Sequence, residues 1–96
     1  MKLTQINNHT VAITFTDDWQ IEQTEDLAKH ILSYLDEHQV LEKVIGADRF
    51  DCRFRFLQCD FVLHFEHYSE SCWIEAQDRF NQRGVQDIVA ALIKAQ

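Results

Sequence analysis

The sequence predicts an α+β fold: an antiparallel sheet of about five strands, in the chain order ββα(β)βββα, with two helices packed on one face. Three observations predict it. Phe50, Cys52, Phe54 and Phe56 alternate with Asp51, Arg53 and Arg55, the period of two expected where one side of a strand is buried. Thr24, Leu27, Ala28, Ile31, Leu32 and Leu35 recur at helical spacing and make one apolar stripe. Strand-like segments lie on both sides of that helix and a second helical pattern closes the chain, a grouping that favours an antiparallel sheet over a parallel one. With 96 residues and no linker, repeat or low-complexity tract, residues 1–96 are expected to form a single domain.

Leu3 to Ile6 and Val11 to Phe15 are short apolar segments joined by Asn7-Asn8-His9, a turn signal, and read as a β-hairpin. Asp17, with Gln20 three residues on, resembles a capping pair for the first helix, which should run to about His38. Asp36 and Glu37 fall in its last turn, where the macrodipole disfavours anions, so that end is expected to fray. Val40, Leu41, Val44 and Ile45 fit either a short strand or one more helical turn, and residues 40–48 are read as a strand-like crossover. Three alternating segments, beginning at Phe50, Phe61 and Cys72, then form a meander. Asn81 is placed to cap the last helix, with Phe80 and Val85 as a hydrophobic staple and Val85, Ile88, Val89, Leu92 and Ile93 as its apolar face. Gly84 in the first turn weakens that helix by roughly 1 kcal/mol.

Sixteen acidic and nine basic side chains leave a net charge of −7, which repels polyphosphates on average and argues against nucleic-acid binding. Even Arg49, Arg53 and Arg55 together are expected to bind nucleic acid only weakly on such a chain. No apolar run approaches the roughly 18 residues of a membrane span, and the first residues lack the apolar region of an export signal. The odd number of cysteines, Cys52, Cys59 and Cys72, then points to reduced thiols in the cytosol. None forms a C-x-x-C pair, and two glycines cannot build a phosphate-cradling loop. No cofactor and no metal are expected.

Opposing side chains in a meander must share a face, so a slip of one residue would bury charge. Taking Gln58-Cys59 as the turn sets Phe56 against Phe61, Phe54 against Leu63, Cys52 against Phe65 and Phe50 against His67. Pairing His67 with Cys72 then sets Phe65 beside Ile74 and Leu63 beside Ala76. On the outer face this register aligns Arg53, His64 and Glu75 in one row and Asp51, Glu66 and Trp73 in the next, with Arg55 and Val62 on the far side of the first.

Arg53, His64 and Glu75 suit a carboxylate-bearing ligand or acid/base chemistry, with Arg55 as an anion anchor and Glu66 nearby. The weak energetics of exposed pairs favour a plainer explanation, a solvated ladder of cross-strand charges. Trp73 exposes indole among charges, as binding surfaces do, unless another segment folds over it. His64-Phe65-Glu66-His67 is no metal site, because His67 points to the opposite face. A nucleophilic pair of Cys72 and His67 would lack oxyanion-hole glycines, so His67 reads as a core-edge histidine bonded to backbone or to Ser69.

Gly46-Ala47-Asp48-Arg49, the alternating hairpin after it, and Glu66-His67-Tyr68-Ser69-Glu70-Ser71-Cys72-Trp73-Ile74-Glu75 resemble a family of small bacterial proteins defined only as a domain of unknown function. The resemblance implies a cytoplasmic bacterial protein and supplies no catalytic residues. The functional expectation is an acidic, non-catalytic interaction or adaptor module with a protein partner or a second copy. The alternative is a protein for a small anionic ligand, or a minor enzyme, using the outer face around Arg53, His64 and Glu75.

Overall fold

The computed structural model describes residues 1–78 and 80–96. Six strands form the antiparallel sheet: β1 (Lys2–Asn7), β2 (Thr10–Thr14), β3 (Gln39–Ile45), β4 (Arg49–Phe56), β5 (Cys59–Glu66) and β6 (Ser71–Ala76). Two helices, α1 (Thr24–Leu32) and α2 (Gln86–Ala95), complete the α+β fold. The strands lie side by side as β1-β2-β6-β5-β4-β3. Six replaces the expected count of about five, because the crossover at residues 40–48 contains a full edge strand paired along β4.

The alternating phenylalanines do face inward. Phe50, Phe54, Phe56, Phe61, Leu63, Phe65, Ile74 and Val11 share one core with Ala28, Ile31, Leu32 and Leu35 of the first helical region and Val85, Ile88 and Leu92 of the second. Both helices thus cover the same face.

Helix ends depart from the sequence expectation for local reasons. A single turn of 3-10 helix at Ile21–Gln23 precedes α1, and its start is set by Gln23 Oε1 accepting the Gln20 N–H at 2.7 Å, not by Asp17. The α-helix stops at Leu32 instead of running to His38. The Ser33 hydroxyl donates to the His30 carbonyl, the next amides reach back only three residues, and Glu37 turns left-handed at φ 59°. Leu35 still enters the core. At the other end Phe80 is 93% exposed, so it forms no staple with Val85, and α2 begins only at Gln86. Asn81 instead closes a turn, its Oδ1 accepting the Arg83 N–H and its carbonyl the Gly84 N–H. Gly84 makes this turn possible: its φ is +54°, and a Cβ there would lie 1.8 Å from the Asn8 carbonyl oxygen.

The register differs from the expected one by two residues in both central hairpins, keeping every side chain on its predicted face. Leu57 and Gln58 form the β4–β5 turn, both left-handed at φ 51° and 67°. Phe56 therefore opposes Cys59, Phe54 opposes Phe61, Cys52 opposes Leu63 and Phe50 opposes Phe65. Across β5–β6, Cys72 opposes Phe65 instead of His67.

Candidate functional site

The register assembles the outer face. Its central row is Val44, Asp51, His64, Trp73 and Ala12, and the row beside it is Glu42, Arg53, Val62, Glu75 and Thr10. The expected row of Arg53, His64 and Glu75 is thereby corrected: Arg53 and Glu75 both oppose Val62, and His64 opposes Asp51 and Trp73. The expected row of Asp51, Glu66 and Trp73 is corrected too, since Glu66 opposes Arg49 and Ser71.

His64 is the hub of this face, its side chain only 16% exposed. Its Nδ1 lies 2.7 Å from Asp51 Oδ1 and its Nε2 3.3 Å from Glu75 Oε1. The imidazole stacks on Trp73, ring centroids 4.7 Å apart and planes 21° from parallel. Arg49 closes the group, Nη2 3.1 Å from Asp51 Oδ1 and the guanidinium carbon 5.8 Å from the Trp73 ring centroid. Trp73 is half-buried by these neighbours, and no other segment needs to fold over it.

Of the residues singled out in the sequence, His64, Glu75 and Trp73 come together. Arg53 reaches Glu42 and Asp60, each at 3.7 Å, and Arg55 reaches Asp60 at 2.8 Å. The Arg55 hydrogen bond holds the Asp60 carboxyl below its ordinary range. Glu66 turns toward the β5–β6 loop and accepts the Ser69 hydroxyl and the Ser69 and Tyr68 N–H groups, the Ser69 hydroxyl doing most to lower its carboxyl. The expected site omits Arg49 and Asp51, yet a signal for them exists. The observed alignment pairs Arg49 with Glu66, Asp51 with His64 and Arg55 with Asp60, whereas the expected one set Asp51 against Glu66. Cross-strand charge complementarity selects between two registers that hydrophobic parity treats alike.

Chemically this face is self-satisfied. Arg49, Arg53 and Arg55 each carry a carboxylate, and both nitrogens of His64 lie against one. Among the described residues no group of three or more His, Cys, Asp or Glu converges as a metal ion would require. The His67 ring packs 5.7 Å from the Trp19 ring, while the His67 backbone N–H donates to the Asp48 carbonyl at 2.8 Å. Burial pushes the Cys72 thiol well up, away from thiolate chemistry.

A different surface lies at the β3 edge. The Gly46 N–H donates to the Arg49 carbonyl at 2.8 Å, and the same ladder runs back through Val44–Asp51 and Glu42–Arg53. Alternation in an antiparallel pair then turns the N–H and C=O of Lys43 and Ile45 away from β4. Val40, Val44 and Ile45 on this strand are 41%, 53% and 69% exposed. Beside it, between α1 and β3, runs a groove of about 470 Å³ lined by Ala28, Leu32, Val40, Phe50 and Cys52, with Lys29 at its margin. Glu25, Ser33, His38 and Lys43 also line it, and burial raises the Cys52 thiol, away from thiolate chemistry.

No helix of the described residues is long and apolar enough to cross a membrane. No curated protein and no solved structure matches the chain. One family does: its pattern, described as Protein of unknown function (DUF3630), matches residues 1–94, and the chain belongs to that family.

Proposed function

We propose that the protein is a small acidic interaction module, a single cytosolic domain over residues 1–96 without catalysis, which engages another polypeptide through the β3 edge. The exposure of Val44 and Ile45 on a seven-residue edge strand carries this reading. Such edges are usually blunted by proline, by inward charge or by a covering loop. Here one bulge near Val40 and the adjacent Glu42 and Lys43 are the only such devices on the strand. An added strand would satisfy the outward N–H and C=O groups of Lys43 and Ile45, while its alternate side chains reach the α1–β3 groove.

Proline at position 45 tests this, because it deletes an outward N–H without touching the ladder to β4. Partners retained by the immobilised wild-type chain are expected to be released by Ile45→Pro, with the variant still folded and less than about 1 kcal/mol less stable. Equal retention overturns the reading.

The stacked His64–Trp73 pair favours a second reading, a small anionic ligand or minor enzymatic substrate held near Arg53, His64 and Glu75. Such a ligand competes with Asp51 and Asp60 for the arginines, which makes this the weaker proposal. A thermal-shift screen against carboxylates and phosphates is expected to show no stabilisation. A shift that disappears in Arg53→Ala would restore this reading.

A further inference from the structure

We infer that the polypeptide accepted by β3 is a second copy of this chain, bound in one register; the inference rests on the edge-binding reading above. In an antiparallel pair related by a two-fold axis through the sheet, opposing residues share a face. Its hydrogen-bonded pairs must come from residues whose backbone points outward, here Lys43 and Ile45. That leaves three alignments. Lys43 on Lys43 sets like charges face to face. Ile45 on Ile45 forms one pair and carries Lys43 past the end of the second strand, opposite Ala47 in the turn. Lys43 on Ile45 forms the same pair twice, with every outward N–H and C=O of both residues used.

The third alignment also fits the side chains. It places Val44 on Val44 at the axis, on the outer face, where each is otherwise 53% exposed. Each Ile45, on the inner face, lies against the aliphatic stem of the other copy's Lys43, beside the groove lined by Ala28, Leu32 and Cys52. Glu42 faces Gly46 of the second copy, so no acid meets an acid across the seam. Near the seam Glu25 and Glu42 balance Lys29 and Lys43, and Lys43 is already held by Glu25 at 3.2 Å. What opposes the dimer is the net charge of −7 on each copy, a long-range repulsion that salt screens.

Cysteine crosslinking reads the register directly. In a Cys59→Ser background, Val44→Cys is expected to form a disulfide-linked dimer under mild oxidation, because Cβ atoms at a non-hydrogen-bonded pair lie about 4.5–5.5 Å apart. Glu42→Cys in the same background is expected not to crosslink, since four residues of offset separate the two copies of that position by roughly 13 Å. Light scattering of the unmodified chain is expected to show a dimer that grows with salt, and Ile45→Pro to weaken it by about tenfold or more. A monomer at every concentration and salt, or equal crosslinking at 42 and 44, overturns the inference. A monomer whose retained partners are still released by Ile45→Pro overturns self-pairing alone and leaves the edge reading standing. If Ile45→Pro changes neither, both fall.

Discussion

At one edge of the sheet the β1–β2 turn is joined to the start of α2 by backbone. The Asn8 backbone carbonyl accepts the Val85 N–H at 2.9 Å, the Asn8 side-chain amide adds a bond from Nδ2 to the Gln82 carbonyl at 3.2 Å, and Gly84 leaves no space for a side chain between them. At the other edge β3 meets α1 through one exposed ion pair, Lys43–Glu25. The β1 strand itself is mostly polar, with Lys2, Thr4, Gln5 and Asn7, and its exposed apolar residue, Ile6, falls in the bulge between Gln5 and Asn7, outside the regular ladder. β3 also has a bulge, but beyond it Val44 and Ile45 remain exposed. An edge meant only to end a sheet resembles the first; the second keeps apolar side chains and outward amides together, which is why we assign the function there.

The contrast breaks first if Gly84→Ala is tolerated. Its Cβ would overlap the Asn8 carbonyl at a left-handed φ, so urea unfolding is expected to reveal a loss on the order of 3 kcal/mol or more. Proline placed at neighbouring positions of β3 should next separate the two sides of that strand. Val44→Pro removes an amide bonded toward Asp51 and is expected to lose roughly 2 kcal/mol, whereas Ile45→Pro should lose less than about 1 kcal/mol. Comparable losses in equilibrium denaturation would mean that the hydrogen-bond direction assigned to β3 is wrong.

Acid should act at two places, on β5 inside the sheet and at the start of α2. Arg55 holds the Asp60 carboxyl, and Arg83 holds that of Asp87 beside Gly84, below the ordinary range. A carboxyl depressed in the folded state contributes its stability above its unfolded pKa and loses it as the pH falls, here below about pH 4. Asp60→Asn and Asp87→Asn are each expected to flatten the stability profile in that window, measured by melts across the acid range. The smallest effect belongs to Glu25→Gln, about 0.5 kcal/mol or less because both partners are exposed, and a larger loss in the same melts would show that β3 is tied down more firmly than one ion pair allows.

Much of the fold is legible in the chain because its cause is local. Period two in Phe50–Phe56 and Phe61–Phe65, helical spacing in Thr24–Leu35, and Asn-Asn-His between apolar runs each act within a few residues. The outer face was legible in composition but not in arrangement. The pattern marks His64, Glu75 and Trp73, yet hydrophobic parity accepts any slip of two residues, and the expected register puts Arg53 where Asp51 stands. Leu57 and Gln58 concealed the true turn, since neither residue advertises a left-handed backbone, whereas Gln58-Cys59 looked no worse. Gly84 misled in the opposite sense: read as a weak helical residue, it is a contact point with Asn8, seventy-six positions away in the chain.

The order of most strands and helices, though not where the helices begin and end, which side of each central strand is apolar, and the acidity of the chain are thus determined by the sequence alone, because propensity, periodicity and charge are properties of neighbours along the chain. Only the tertiary structure decided which charges meet His64, that Gly84 must be glycine, and that β3 ends the sheet with its amides outward. Those depend on distant segments brought within a few ångströms, where hydrogen-bond direction and steric overlap choose among alignments that burial alone leaves equal.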